Sequence, residues 1–315
     1  MKKTIKSPFL EEIYENARYS SPIKSLLKKP YIIDVESTNN CNMSCLFCDR
    51  QIMKRGKGFM DEKIFQTLVD QSQEIGVKGL RFIRWGEHYL HPKIFEFIDY
   101  AKKRNLLVHV TTNGKLMNQE RAEQTIKSGL DHLIFSFQGV NKKSYEEMRG
   151  KGNYNIFEKN VKSFMKLRNT LSKDKPFVQI TTSTTNESPE EVEEFKKYWG
   201  GIVDLVTHTG TTSLYRVEDQ DRIKKSGVLN KEKRWDRDKV CYEVFKKLAI
   251  NWNGDFTACA NDFDNNLLLG NIKDYSINDI WTSEKLKEIR KTLKKNDKKE
   301  VKEKIPFCGY CRNRF

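Results

Sequence analysis

Cys41-Asn-Met-Ser-Cys45-Leu-Phe-Cys48 places three cysteines within eight residues, directly after the apolar run Tyr31-Ile-Ile-Asp-Val-Glu36. An odd set in one tight loop has no sensible disulfide pairing. Three convergent thiolates are what a cubane iron–sulfur cluster needs if one of its irons is to stay open for a ligand. The plainer alternative is a zinc knuckle, which wants a fourth ligand close by. The run before the loop has the length and β-branched content of a buried strand, so the cysteines hang from a strand end.

Working outward, apolar runs and amphipathic stretches alternate. Segments 31–36, 80–83, 106–111, 132–137, 177–182 and 204–208 are expected as strands. Segments 61–75, 94–104, 119–127, 155–171 and 189–199 are expected as helices, the first burying Ile64, Phe65, Leu68 and Val69 on one face. Repeated strand–helix units imply a parallel sheet with right-handed crossovers. Six units predict an α/β fold of the open, partial (β/α)6 TIM-barrel type, with chemistry at the C-terminal strand ends. The cysteine loop lies at such an end.

The sequence divides into an N-terminal arm (1–30), a partial barrel (31–215), a charged linker (216–240) and a cysteine-bearing tail (241–315). The tail holds Cys241, Cys259, Cys308 and Cys311, the last two as C-x-x-C, and a hairpin is expected around Asn253-Gly254. A four-cysteine zinc ribbon is the structural alternative for this set.

No run reaches the ~18 apolar residues of a membrane span, and no apolar segment follows the basic N-terminus. A cytoplasmic protein with reduced cysteines is expected, with no membrane partner. The net charge is +15. Much of it lies between Lys285 and Lys304 with Glu284, Glu288, Glu300 and Glu303 interspersed, the pattern of a solvated helix face. No aromatics interleave these lysines, which weighs against nucleic acid. An attraction to small anions, or to an acidic electron donor such as a flavodoxin or ferredoxin, remains.

The C-x-x-x-C-x-x-C spacing, with Phe47 before the third cysteine, resembles the signature of the radical S-adenosylmethionine superfamily. Further motifs carry the resemblance. Trp85-Gly86-Glu87-His88 is similar to the family's G-G-E-P, with Trp and His at its outer positions. Thr111-Thr112-Asn113-Gly114 matches its T-N-G turn. Ser136-Phe-Gln138-Gly139 is similar to S-x-D-G, with Gln138 at the usual aspartate, and Arg149 matches an arginine that pairs with the cofactor carboxylate. The order of the tail cysteines resembles the SPASM group in its shortened twitch form. Twitch-type carbohydrate-modifying members, 2-deoxy-scyllo-inosamine dehydrogenase among them, are the nearest pattern.

The resemblance implies two 4Fe–4S clusters. Cys41, Cys45 and Cys48 would hold the radical-initiating one, and Cys241, Cys259, Cys308 and Cys311 an auxiliary one. S-adenosylmethionine would contact Gly86, Glu87, Thr112, Asn113, Ser136, Gln138 and Arg149. Three cysteines plus four account for all seven, so no thiol is left over as a hydrogen-atom donor and the auxiliary cluster has no open iron. Both points favour an oxidoreductase that removes hydrogen from a carbinol carbon and passes an electron to the auxiliary cluster, giving a ketone. The expected substrate is a sugar, aminocyclitol or sugar nucleotide. His208, Tyr215 and Arg216, at the end of the sixth strand, are the candidate substrate-facing groups, with His208 as proton acceptor and Arg216 as substrate holder. His109 and His132 are expected to be structural. The alternatives are an epimerase using Tyr215 or Tyr242 as hydrogen donor, a peptide or protein maturase, and a zinc-bearing nucleic-acid-binding module.

Overall fold

The computed structural model describes residues 7, 9–11, 27–171, 174–184, 187–210, 241, 243–309 and 311. The strands β1 (Ile32–Val35), β2 (Gly79–Phe82), β3 (Leu107–Thr112), β4 (His132–Ser136), β5 (Phe177–Thr184) and β6 (Leu205–Gly210) pair in parallel in that order. The helices α1 (Glu62–Ile75), α2 (Ile94–Lys103), α3 (Gln119–Lys127), α4 (Lys142–Arg149), α5 (Tyr154–Leu171) and α6 (Pro189–Gly200) form the crossovers. This is the expected open α/β half-barrel.

Local chemistry sets the helix starts. The Asp61 carboxylate accepts the Lys63 backbone N–H ahead of α1, and Gly76 ends that helix in the left-handed conformation at φ 73°. Ser188 and Glu191 form a capping box around Pro189 at the start of α6. The predicted apolar face of α1 is the buried one: Ile64, Phe65, Leu68 and Val69 all pack inward.

Strand alternation sorts side chains onto two faces. Ile33, Leu80, Val108, Leu133, Val178 and Ile180 enter the apolar core shared with the helices. The opposite face lines the barrel interior and carries a polar row in register, Asp34 beside Arg81, Arg81 beside His109, His109 beside His132. Arg81 donates both arms of its guanidinium to Asp34, at 2.6 and 2.8 Å. Phe9 from the N-terminal arm is fully buried beneath this row, its ring centroid 5.1 Å from His109 and 5.8 Å from His132. Both histidines are therefore interior packing residues, as expected.

The tail is not an appendage on a stalk. Strand β7 (Lys247–Ile250) pairs in parallel with β1, and β8 (Asp255–Thr257) and β9 (Leu268–Asn271) follow antiparallel, so one nine-stranded sheet runs β6-β5-β4-β3-β2-β1-β7-β8-β9. The β7–β8 turn is the hairpin at Asn253-Gly254. The lysine-rich segment is two helices, Glu284–Lys295 and Lys298–Lys304, separated by Asn296 in the left-handed conformation. The first buries Leu286, Ile289 and Leu293 on one face, and its lysines account for part of the surplus positive charge. The proposed linker 216–240, together with Tyr215, Arg216 and Tyr242, lies outside the described residues. Among the described residues no helix is long and apolar enough to cross a membrane.

Candidate functional site

At the C-terminal ends of β1 to β4 a cavity of about 200 Å³ opens, lined by Cys41, Cys45 and Cys48 together with Arg84, Gly86, Glu87, Thr112, Asn113, Ser136 and Arg149. The three thiols ring this space; among the described residues no three His, Cys, Asp or Glu side chains converge on a point fit for a single metal ion. Burial pushes the Cys48 thiol up to about 12, with the neighbouring thiols adding to the shift, and raises Cys41 as well. Such thiols hold their protons until a cationic centre arrives to displace them.

Two glycines let the cysteine loop dock. Gly86 sits at φ 94°, where a side chain would overlap the Thr38 and Asn40 carbonyl oxygens. Its neighbour Glu87 donates its backbone N–H to Asn40 O at 2.8 Å. Gly150, at φ 40°, packs against the Ser44 carbonyl, and Ser44 N–H donates to Gly150 O at 3.2 Å. Leu46 N–H donates to Met148 O at 2.9 Å, so the loop is stitched to the end of α4. Helix α4 was absent from the sequence expectation.

Glu87 is 1 % exposed. Its Oε1 accepts the Thr112 hydroxyl at 2.8 Å and its Oε2 the Asn113 backbone N–H at 2.8 Å. Burial raises its pKa, and all its direct hydrogen-bond donors are neutral. A buried carboxylate held this way suits an ammonium ligand. Asn113 Nδ2 donates to Asn42 Oδ1 at 2.7 Å, tying the T-N-G turn to the cysteine loop. Arg149 donates to the Ser136 hydroxyl at 2.7 Å, lies over the Phe47 ring, and keeps its buried Nε–H without a partner among the described residues. The Trp85 indole N–H and the Arg84 Nε–H are also buried without acceptors among the described residues. A cavity walled by three thiols and several unspent donors, with one buried carboxylate, fits an anionic cluster plus a zwitterionic amino-acid ligand.

The structure thus brings together the three cysteines and Gly86, Glu87, Thr112, Asn113, Ser136 and Arg149. Gln138 is buried but does not line the cavity. His88 replaces the motif's proline as a packing residue: its Nδ1 pairs with the Ser37 hydroxyl at 2.8 Å, and burial lowers its pKa to about 3. His208 is not brought to the site. It is exposed and in register with Thr182 on the face that carries Ile180 and Val206, whereas Thr207 and Thr181 share the inner face with Ser136. Sequence reasoning missed Arg84, Arg50 and Gln51 as lining residues. Arg84, directly before the W-G-E motif, was the one with a positional signal.

In the tail, Cys241 and Cys311 lie close enough to Cys259 to join burial in raising its thiol pKa, and Cys311 N–H donates to Cys308 O at 3.1 Å. The four tail cysteines thereby gather beside β7 and β8.

Comparison with known proteins agrees with this arrangement. The radical SAM superfamily profile matches residues 35–195, and an iron–sulfur cluster-binding domain profile, SPASM, matches 241–312. A tungsten-containing aldehyde ferredoxin oxidoreductase cofactor-modifying protein of Pyrococcus furiosus is 22% identical over 286 residues, 80% of each chain. The S-adenosyl-L-methionine-dependent 2-deoxy-scyllo-inosamine dehydrogenase of Niallia circulans is 20% identical over 291 residues, 90% of this chain and 92% of that one. The crystal structure of BtrN in complex with AdoMet and 2-DOIA superposes with a TM-score of 0.59 at 18% identity, covering 90% and 92% of the two chains. Other relatives bear the names of a PqqA peptide cyclase and the subtilosin biosynthesis protein AlbA, of whose lengths this chain spans 35% and 65%. With a profile covering half its length, a parallel half-barrel and three thiols at the end of its first strand, the chain belongs to the radical SAM superfamily, carries a SPASM domain, and uses S-adenosylmethionine and 4Fe–4S clusters as cofactors.

Proposed function

We propose that the protein is a radical S-adenosylmethionine oxidoreductase that converts a secondary alcohol of a sugar, aminocyclitol or sugar nucleotide into a ketone. The observation that carries this reading is the division of its seven cysteines, three at the cavity and four in the tail, with none left over. The likeness in length and fold to the inosamine dehydrogenase supports it.

In this reading Cys41, Cys45 and Cys48 hold the first cluster, and Cys241, Cys259, Cys308 and Cys311 the second. When bound, these cofactors supply an adenosyl radical as hydrogen-atom acceptor and an iron–sulfur centre as electron acceptor. The chain's own residues orient and exclude. Glu87 takes the ammonium of S-adenosylmethionine, Arg149 its carboxylate, and the turn at Thr112 and Asn113 its ribose side. The substrate loses a hydrogen atom from carbon, a proton from its hydroxyl and one electron, which balances to a ketone. With His208 on the outer face, Tyr215 and Arg216 are the remaining substrate-facing assignments, and the proton passes to a base or water. The net charge of +15 suits an acidic flavodoxin or ferredoxin as electron donor.

The names of the peptide-modifying relatives favour a second reading, modification of a peptide side chain. The test is an anaerobic assay of reconstituted enzyme with aminocyclitol and sugar-nucleotide alcohols. The first reading expects 5′-deoxyadenosine and a ketone in equal amounts. Solvent deuterium entering at carbon without oxidation would overturn it in favour of epimerisation. Turnover only with a peptide would overturn it in favour of the second.

A further inference from the structure

We propose that Arg84 is a positioning residue for the auxiliary cluster, tying the turn that carries Cys259 to the cavity ringed by Cys41, Cys45 and Cys48. Arg84 lines that cavity, two residues before Gly86, yet its guanidinium reaches across the sheet into the tail. One arm donates to the Thr257 hydroxyl at 2.8 Å and the other to the Asp262 carbonyl at 2.8 Å. Thr257 passes the bond on, its hydroxyl donating to the Cys259 carbonyl at 3.1 Å. Asp262 N–H donates to the same carbonyl at 3.1 Å. Arg84 therefore clamps both ends of the turn from 257 to 262, with Cys259 between them.

The turn is rigid on its far side as well. The Asp262 carboxylate accepts the backbone N–H groups of Asn266 at 3.0 Å and Leu267 at 2.7 Å. A second arginine grips the next residues. Arg55, seven positions after Cys48, donates its Nε–H to Phe263 O at 2.7 Å, and its backbone N–H to the Asp264 carboxylate at 2.9 Å. Arg55 is itself held by the buried Glu36 at the end of β1. Both cluster loops thus share one buried polar frame, and Arg84 is its member on the cavity wall.

A buried guanidinium at this place does two things. Its two bonds fix the backbone that carries a cluster ligand, and its charge favours the reduced cluster, which carries one more negative charge than the oxidised one. The hydrogen-bonded series Arg84, Thr257, Cys259 also gives a short through-bond route between the cavity wall and the auxiliary ligand. The inference rests on Cys259 being an auxiliary-cluster ligand, as proposed above, and not on the substrate.

The test is an EPR-monitored redox titration of the reconstituted, two-cluster protein and of Arg84→Met, Arg84→Lys and Thr257→Val. Iron and sulfide content is determined for each. For Arg84→Met with full iron, the reduced-to-oxidised ratio of the auxiliary cluster at fixed applied potential should fall about tenfold, or about 59 mV for a one-electron couple. Arg84→Lys, which keeps the charge, should recover most of that shift. Should Arg84→Met fail to fold, Thr257→Val decides: it cuts the relay while leaving the charge, and should alter the auxiliary EPR signal while the first cluster's signal stays put. An unchanged auxiliary potential in Arg84→Met, or an unchanged signal in Thr257→Val, overturns the proposal. Wild-type protein holding iron for one cluster only would instead overturn the ligand assignment of Cys259.

Discussion

The Cys45 thiol donates to the Arg149 backbone carbonyl at 3.4 Å, across 104 positions of sequence. The cysteine loop is thus shaped by the far end of α4, and the residue that closes that end also presents its guanidinium to the cavity. In the proposed reading, loading a cluster on the thiols and binding a carboxylate at Arg149 act on one small piece of backbone. Replacing Cys41, Cys45 or Cys48 by Ala should abolish formation of 5′-deoxyadenosine, measured by chromatography. Replacing Cys308 or Cys311 should leave some 5′-deoxyadenosine without ketone.

Glu87→Gln keeps the shape and an acceptor but removes the charge. Hydrogen bonds to charged groups are worth about 1.5–3 kcal/mol. Affinity for S-adenosylmethionine should therefore fall between about tenfold and a hundredfold, measured by equilibrium binding to the cluster-loaded protein. Iron content should hold, because the hydrogen bonds to its carboxylate come from Tyr89, Thr112 and Asn113 and not from the cysteine loop.

Gly150→Ala tests the stitch between α4 and the cysteine loop. Its φ of 40° and the Ser44 carbonyl against it leave no room for a Cβ. A left-handed non-glycine residue costs about 1–2 kcal/mol before any overlap is relieved. Cluster retention should drop, seen as iron lost on desalting, while far-ultraviolet circular dichroism changes little. Gly200→Ala is the control, since nothing lies within 4 Å of the added atom.

Three buried histidines, two of them in the row across the barrel interior, set the acid limit. His88 and His132 titrate at about 3 in the fold because burial disfavours their charged forms, and His109 is lowered in the same way. Unfolded, each takes up its proton near 6.5. Between these values the unfolded chain binds more protons, so stability is full above about pH 6.5 and is lost as pH falls toward 3. Each histidine costs about 1.4 kcal/mol per pH unit inside that window. Urea midpoints measured from pH 7.5 to 5 should fall accordingly. His132→Phe, which keeps an aromatic ring beside Phe9 and Phe177, should flatten the slope by about one proton.

Arg81→Met strands the Asp34 carboxylate in the interior, since the two form a bidentate pair with both side chains buried. Breaking such a pair costs about 3–5 kcal/mol. The double variant with Asp34→Leu should recover much of this, as read from urea unfolding.

Much of the cavity was legible because its chemistry sits at strand ends, where a polar motif interrupts an apolar run. Glu87, Asn113 and Arg149 each stand beside such a break. His208 looked equally well placed, but strand parity decides which way a side chain faces, and Leu205-Val-Thr-His-Thr offers no clean alternation from which to read it. Helix α4 escaped notice because only Tyr145, Met148 and Arg149 of its eight residues are buried, too few for a periodic stripe. The pairing of β7 with β1 joins segments more than two hundred positions apart, and no local pattern announces a partner at that range.

That pairing has a consequence for how electrons travel. Because Ile32 to Val35 and Lys247 to Ile250 are rungs of one ladder, the loop with Cys41, Cys45 and Cys48 and the turn with Cys259 are mounted on a common chassis rather than on hinged plates. Under the proposed reading, the gap an electron crosses between two clusters is then set by this shared sheet and not by a hinge between domains.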